Sequence, residues 1–220
     1  MFIGHFAVGY ALKRKVPKAS LGTLLAAPLL LDLLWPLALL AGLESVRIDP
    51  GNTVVTPLDL HDYPYTHSLL MAVVWSALFG GGYAWRTGNR RGGGWIALGV
   101  FSHWVFDWIT HRPDMPLYPG SATFVGLGLW NSLTGTMAVE YGLYIAGVWI
   151  YASTTRAKDR TGTLAWWITA AFFAVMYAGV VFGPPPPSAH AIAVAGCFTW
   201  LFIPLFNWID SHRKVVARGS

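Results

Sequence analysis

The chain has 220 residues, of which 55% are hydrophobic and only 11% charged, against about 25% charged in an ordinary soluble domain. Its net charge is +5, but the basic residues form no single patch or stripe, which argues against a nucleic-acid-binding protein. The single Cys197 excludes an intramolecular disulfide and a cysteine-rich zinc site. The composition therefore predicts an integral membrane protein, in which many of the 12 Trp and 9 Tyr lie at the membrane interfaces.

Hydropathy predicts an all-α fold, a polytopic integral membrane helical bundle with residues 1–220 in a single transmembrane domain. Residues 2–13 are too short to cross a bilayer, which takes about 20 apolar residues, so this helix is expected to be re-entrant or packed inside the bundle. The amino terminus lacks a basic n-region and a small-residue cleavage site, so no removable signal peptide is expected. Six transmembrane helices follow, over residues 20–43, 65–85, 94–111, 132–152, 162–182 and 188–209.

The Lys and Arg residues alternate between the predicted loops. Two of the fifteen, Arg47 and Arg112, fall on one side. The other thirteen fall on the opposite side: Lys13, Arg14, Lys15, Lys18, Arg86, Arg90, Arg91, Arg156, Lys158, Arg160, Arg213, Lys214 and Arg218. Because cytoplasmic loops carry the excess of basic residues, this pattern predicts a cytoplasmic carboxyl terminus, with loops 44–64 and 112–131 outside.

Three carboxylates fall inside the predicted spans: Asp32, Asp107 and Glu140. Each costs about 2.5–3.5 kcal/mol to insert at the bilayer centre, so such a residue usually faces a partner or a water-filled cavity. At about 1.5 Å per residue from the cytoplasmic end, four groups lie about 12–18 Å deep: His5, Asp32, His103 and Glu140. The spans contain no Lys or Arg to pair with these acids, so a divalent cation or protons must supply the missing positive charge.

Three ionisable residues recur at every fourth position in the stretch from Ser102 to His111. On a helix this spacing stacks their side chains on one face, so His103 and Asp107 can hold one metal ion together. His111 lies about 12 Å along the axis from His103, which is too far to bind the same ion. Histidine and carboxylate donors without a thiolate favour Zn²⁺, with Mn²⁺ or Fe²⁺ as alternatives. One or two ions are expected, and the predicted ligands are His5, Asp32, His67, His103 and Asp107.

Each of these residues also has a purely structural interpretation. His5 can be an interfacial residue, and Asp32 beside Pro28 can cap a broken helix. His103 and Asp107 can form a hydrogen-bonded pair without a metal, and Glu140 can bond a tyrosine or a neighbouring helix. The convergence of several such groups at one depth, rather than any single residue, favours a functional site.

Landmarks in the first half of the chain resemble the bacterial inner-membrane family of membrane-bound, metal-dependent hydrolases. They are Gly4-His5, Asp32, Thr66-His67-Ser68, and Ser102-His103 with Asp107 and His111 at four-residue steps. The His-x-x-x-Asp helix is also similar to that of the zinc-dependent phospholipase C and nuclease set. The resemblance implies a hydrolase of the bacterial inner membrane. The chain departs from the family at Leu30, where members carry a further Asp, and at Asp62-Tyr63-Pro64-Tyr65, where members have His-Arg-Gly.

These residues together predict a metal-dependent hydrolase that acts on a lipid-linked phosphoester, with its site opening to the outer side. Water activated by the metal, with its pKa lowered toward about 7, is the expected nucleophile. Glu140, or a free oxygen of a ligating carboxylate, is expected to accept the water proton, and His111 to protonate the leaving oxygen. The expected substrate contacts are Arg112 and Tyr65.

Two other functions fit the same residues. The acids and histidines can form the proton or metal path of an ion-coupled transporter or permease, which must reach both faces of the membrane. Alternatively, the protein is a non-catalytic membrane scaffold in which the polar cluster only holds the helices together. The sequence leaves the oligomeric state open.

Overall fold

The computed structural model describes residues 1–216, so that Arg218, counted above among the basic residues, lies outside the described part. The fold is mostly helical, with three small antiparallel sheets. The α-helices are α1 (Ile3–Leu12), α2 (Leu21–Leu40), α3 (Pro64–His67), α4 (Leu69–Thr87), α5 (Arg90–Thr110), α6 (Leu133–Thr154), α7 (Arg160–Phe182), α8 (Ala189–Cys197) and α9 (Phe202–Ser211). The sheets pair β1 (Ser45–Ile48) with β2 (Leu58–Asp62), β3 (Met115–Pro116) with β4 (Phe124–Val125), and β5 (Thr155–Ala157) with β6 (Arg213–Val215).

Six of the helices begin at a residue whose side chain caps the first turn. In each, a side-chain oxygen accepts a hydrogen bond from the main-chain N–H three residues later; the capping residues are Ser20, Ser68, Asn89, Ser132, Asp159 and Ser188. Such a cap stabilises a helix by about 1 kcal/mol. These caps determine where α2 and α4 to α8 start, within four residues of the starts predicted from hydropathy.

Three helical segments within residues 1–216 are long and apolar enough to cross a membrane. They are Leu21–Leu40, Arg160–Phe182 and Ala189–Ser211, the last of which runs through α8, a 3₁₀ turn and α9. The structure therefore supports three membrane-spanning helices and not the six predicted. Helices α4, α5 and α6 have similar lengths, but glycine, aromatic and hydroxyl residues lower their mean hydropathy, and Asp107 and Glu140 lower it further in α5 and α6.

Helix α1 packs inside the bundle, which is one of the two placements predicted for it. Eight of its ten residues are buried, and it packs against α2, α5, α6 and α7. Glycines permit the closest approaches: a Cβ on Gly9 would lie 2.6 Å from Leu25 Cδ2, and a Cβ on Gly147 of α6 would lie 2.5 Å from Ala7 Cα. The helix that carries His5 is therefore held from several sides.

Helix α2 is continuous from Leu21 to Leu40, although it contains Pro28 and Pro36. Each proline removes one helical hydrogen bond, and Pro36 has no N–H to donate to the main-chain carbonyl of Asp32. The helix nevertheless continues on both sides of Asp32. The interpretation of Asp32 as the cap of a broken helix is therefore wrong, since the residue lies in the middle of an intact helix.

The basic segments predicted to share one side of the membrane meet at one end of the bundle. There, the Lys13 ammonium lies 2.6 Å from Asp210 Oδ2 and ties the end of α1 to α9, while the Lys15 ammonium lies 5.0 Å from the centre of the Trp95 ring. Strands β5 and β6, which contain Arg156, Arg213 and Lys214, join the same end to the carboxyl-terminal segment. The hairpins β1–β2 and β3–β4 cover the opposite end, where the polar cluster opens.

Candidate functional site

Asp107 lies at the centre of a group of buried histidines. Its Oδ2 atom is 3.0 Å from His103 Nε2 and 3.7 Å from His111 Nε2. Neither group of possible metal ligands within residues 1–216 contains His111, so that its binding to a different ion or group from His103 stays a prediction. Asp107 lies between them on the chain, and α5 ends at Thr110, so that His111 takes an extended backbone conformation. Both imidazoles thus reach the same carboxylate oxygen.

Residues from two other helices complete this group. His67, at the end of α3, places Nε2 3.3 Å from His103 Nε2 and 3.8 Å from Asp107 Oδ2. Asp32 of α2 places Oδ1 3.5 Å from His67 Nε2 and 3.7 Å from His103 Nε2. The structure therefore brings together the predicted metal ligands Asp32 and Asp107, which lie 75 positions apart in the sequence.

The spacing of three of these donor atoms, those of Asp32, His67 and His103, fits a small divalent cation. The five measured separations among Asp32 Oδ1, His67 Nε2, His103 Nε2 and Asp107 Oδ2 run from 3.0 to 3.8 Å. In a tetrahedral zinc site with bonds of about 2.0–2.1 Å, neighbouring donor atoms are about 3.3–3.4 Å apart. Asp32 Oδ1, His67 Nε2 and His103 Nε2, whose separations run from 3.3 to 3.7 Å, therefore match three corners of such a site.

The neighbours of two histidines orient their rings for metal binding. His103 Nδ1 lies 2.7 Å from the carbonyl oxygen of Pro28, and because a carbonyl only accepts, Nδ1 must carry the proton. His67 Nδ1 lies 2.7 Å from Thr66 Oγ1, and the Thr66 hydroxyl donates to Glu44 Oε2 at 2.7 Å. In both rings the Nε2 lone pair then faces the cluster, an arrangement that is typical of metal-binding histidines.

The His111 ring is also oriented through its Nδ1 atom, in this case by residues of the predicted outer loops. Its Nδ1 lies 3.1 Å from Asp114 Oδ1, which also accepts the Tyr63 hydroxyl at 2.9 Å. Burial, and then the nearby Asp114 carboxylate, raise the pKa of the Tyr63 hydroxyl well above its usual value, so that it remains a neutral donor. The Trp130 ring packs over His111 with ring centres 4.1 Å apart.

His5 approaches Asp107 from the opposite side. Its Nε2 lies 3.1 Å from Asp107 Oδ1, and its ring stacks on His103 with ring centres 3.9 Å apart. His5 is fully buried, so it is not an interfacial residue, and its Nδ1 has no hydrogen-bond partner within residues 1–216. The Met1 amino group also lies 2.5 Å from Asp107 Oδ1. A cation bound through Asp107 Oδ1 would therefore compete with this amino group, whereas Oδ2 faces His103.

The donor atoms thus form two overlapping groups in which one metal ion could be held. One consists of His5, His103 and Asp107, and the other of Asp32, His67 and His103. His103 belongs to both. The five predicted ligands are therefore close together, and their geometry is compatible with one ion or with two adjacent ions.

A catalytic base needs a free oxygen, whereas both carboxylate oxygens of Glu140 already accept hydrogen bonds. Its Oε1 accepts the main-chain N–H of Phe2 and its Oε2 accepts that of Gly4, both at 2.7 Å. The carboxylate is buried and caps the amino end of α1, which carries His5. Of the structural interpretations considered above, bonding to a neighbouring helix describes its contacts.

The two predicted substrate contacts lie outside the cluster. The Arg112 guanidinium is paired with Asp59 and Asp114, and Asp114 in turn contacts His111. The Tyr65 side chain is 48% exposed. Neither Arg112 nor Tyr65 is among the residues that line the adjoining cavity.

An apolar cavity of about 580 Å³ extends from the cluster toward α7 and α8. Its polar end contains Asp32, His67, Asp107 and His111. Asp32 is the most accessible of these groups, since its side chain is 37% exposed whereas that of Asp107 is 3% exposed. A second cavity, of about 530 Å³, lies between residues 50–58 and the end of α7, and Val55 is among the residues that line both.

No function was assigned from the sequence to four residues that orient the cluster: Glu44, Tyr63, Thr66 and Asp114. Thr66 was noted only as part of the Thr-His-Ser motif. Glu44 and Asp114 lie in predicted outer loops, where an acid is unremarkable in a sequence. Their burial, at 4% and 8% exposed, is the signal that distinguishes them, and it is a property of the folded chain.

The model of a family described as YdjM inner membrane protein matches residues 1–184. No curated protein and no solved structure matches the chain. The family description supports a bacterial inner-membrane protein, and it includes neither hydrolase activity nor similarity to phospholipase C.

Proposed function

The chain belongs to the YdjM inner membrane protein family, and from this premise and the His–Asp cluster we propose that it is a metal-dependent hydrolase of a lipid-linked phosphoester. The observation that carries the proposal is the shared orientation of His67, His103 and His111. Each has Nδ1 next to an oxygen and Nε2 within 3.8 Å of Asp107 Oδ2. A cluster serving only to hold helices together does not need three rings turned toward one carboxylate.

The proposed cofactor is a divalent cation, with Zn²⁺ favoured over Mn²⁺ or Fe²⁺ because the donors are imidazole and carboxylate groups without a thiolate. One ion would be held by Asp32, His67 and His103, and a second or alternative ion by His5, His103 and Asp107. A bound ion of this kind lowers the pKa of water to about 7 and polarises a phosphoryl oxygen.

The remaining chemistry is assigned to side chains of the protein. A water oxygen forms a bond to phosphorus, and the bond from phosphorus to the ester oxygen breaks. The accessible carboxylate of Asp32 accepts the water proton, a role that Glu140 is less suited to because both of its oxygens already accept main-chain N–H groups. His111, in its doubly protonated imidazolium form, gives the Nε2 proton to the leaving oxygen and recovers a proton from Asp32 after the reaction, and Asp114 and Tyr63 orient its ring.

We place the site in the outer half of the membrane, with the carboxyl terminus in the cytoplasm and up to six helices crossing the bilayer. This orientation rests on the positive-inside rule and on the grouping of Lys13, Lys15, Arg156 and Arg213 at the end of the bundle away from the cavity. Arg112 lies at the opposite end, where its contact with Asp114 supports His111 rather than reaching the substrate directly.

Transport is the weaker proposal, because a transport path needs a route from the cluster to the other face. Beyond the cluster the space is filled by buried aromatic side chains, among them Phe6, Tyr10 and Trp166. The cavity instead extends from Asp32 and Asp107 toward α7, α8 and residues 55–60.

The proposal is tested by turnover of hexadecyl p-nitrophenyl phosphate and of hexadecyl phosphate by the purified protein in detergent. We expect release of nitrophenol or phosphate that is abolished by EDTA, restored by Zn²⁺, Mn²⁺ or Fe²⁺, and lost in Asp32→Asn. The exposed His190→Ala variant, altered at a residue that belongs neither to the cluster nor to the cavity lining, is the matched control and should retain activity. Hydrolysis that EDTA does not affect, or no hydrolysis of either compound with any of these metals, contradicts the proposal.

A further inference from the structure

The walls of the larger cavity differ in character from one end to the other. Asp32, His67, Asp107 and His111 form one end, and the remaining wall is mainly apolar, with Trp35 and Ile192 among its side chains. A ligand that fills this cavity must therefore be amphiphilic, with its polar group at the histidines and its apolar part toward α8.

The cavity is bounded by two helices that pack on different neighbours. Helix α8 packs mainly against α2, whereas α7 packs against α9 and α1. Val180 of α7 and Ala195 of α8 both line the cavity and are both exposed to solvent. In a membrane-spanning bundle, the surface of α7 and α8 at this depth faces lipid, so the opening between them is lateral.

The volume limits the size of the apolar part. The cavity measures about 580 Å³, within the roughly 300–1,000 Å³ of small-molecule sites. At about 30 Å³ for a group the size of a water molecule, it accommodates on the order of twenty non-hydrogen atoms. That suits one long hydrocarbon chain with its polar group.

From these observations we propose that the cavity binds one hydrocarbon chain of an anionic, single-chain phosphate amphiphile, which enters from the membrane between Val180 of α7 and Ala195 of α8. The inference deepens the proposed function and rests on it for the choice of a phosphate head group. The polar end of the cavity adjoins the proposed metal ligands, so a phosphate there lies where the hydrolysis is proposed to occur.

The test uses hexadecyl phosphate with a diazirine on its chain, added to the full protein in phosphatidylcholine nanodiscs. After illumination, we expect cross-links to Trp35 and Ile192 that unlabelled hexadecyl phosphate prevents. Ala195→Trp should reduce this labelling by about tenfold or more, since each displaced methylene changes binding by roughly fourfold. Val194→Trp, at an exposed neighbour outside the cavity lining, is the matched control and should leave the labelling nearly unchanged.

Labelling that is spread evenly over exposed residues such as Ile168 and Leu98, or that Ala195→Trp leaves unchanged, overturns the inference. The experiment is repeated in EDTA, because the apolar walls do not depend on a metal. Competed cross-links that persist in EDTA while no variant or metal gives turnover would support the chain site and contradict the hydrolase. Metal-dependent turnover together with scattered cross-links would support the hydrolase and contradict the chain site.

Discussion

Replacing Thr66 with valine tests whether the cluster is organised to bind a metal, because the substitution leaves every proposed metal ligand in place. Thr66 links His67 Nδ1 to Glu44 Oε2 through two contacts of 2.7 Å. Valine has nearly the same shape but no hydroxyl, so His67 Nδ1 loses its acceptor. The ring proton can then move to Nε2, where it points at His103 Nε2, 3.3 Å away, and blocks metal binding.

Loss of such a supporting hydrogen bond typically weakens metal affinity by about 10–100-fold, or about 1.4–2.7 kcal/mol. The fold should persist, because Glu44 Oε1 still accepts the main-chain N–H groups of Tyr65 and Thr66, each at 2.8 Å. The lost bond to the buried Oε2 should lower the stability by about 1–3 kcal/mol.

The assay is competition for Zn²⁺ between the purified protein and a chromophoric chelator, with thermal unfolding measured on the same samples. Thr66→Ser keeps the hydroxyl and should restore most of the affinity. Thr155→Val removes another buried threonine hydroxyl, at the opposite end of the bundle, and should leave the affinity unchanged. If Thr66→Val binds Zn²⁺ as tightly as the wild type while remaining folded, the assigned role of this hydrogen-bond chain is wrong.

Two further predictions concern buried carboxylates. In Glu140→Gln, one of the N–H groups of Phe2 and Gly4 meets an amide donor instead of an acceptor, so the stability should fall by about 1–3 kcal/mol; an unchanged unfolding temperature would show that the cap is not formed. Lys13→Met leaves the half-buried Asp210 without its ammonium partner, while the Tyr151 hydroxyl and the main-chain N–H of Leu21 still donate to it, and should cost about 1–3 kcal/mol. Adding Asp210→Asn should recover part of this loss, and a double variant less stable than Lys13→Met would contradict that explanation.

The part of the site that follows local periodicity could be predicted from the sequence. His103 and Asp107 share a helical face because they are four residues apart, and counting residues by depth brought His5 and Asp32 to the same level. His111 follows the same four-residue spacing, and its imidazole contacts Asp107 although α5 ends at Thr110.

The residues that orient the histidines could not be predicted. Glu44 and Asp114 reach the cluster through loops whose paths depend on the packing of α3 and of strand β3, and no periodic pattern marks such contacts. Of the six predicted membrane-spanning helices, the structure supports three by length and composition. The stretch that forms α5 reads as a span by length, but its glycine, histidine and indole residues serve packing inside the bundle and the polar cluster, and they reduce its hydropathy.

The central claim is that these buried acids and histidines form a metal centre, and the most direct test is the metal content of the purified protein, measured by elemental analysis. The wild type should contain one or two divalent ions per chain. His103→Ala should contain almost none, because His103 belongs to both groups of donor atoms, and His190→Ala should match the wild type. A wild-type protein without stoichiometric metal after exposure to Zn²⁺, Mn²⁺ and Fe²⁺, or a His103→Ala variant with the full wild-type content, would contradict the account.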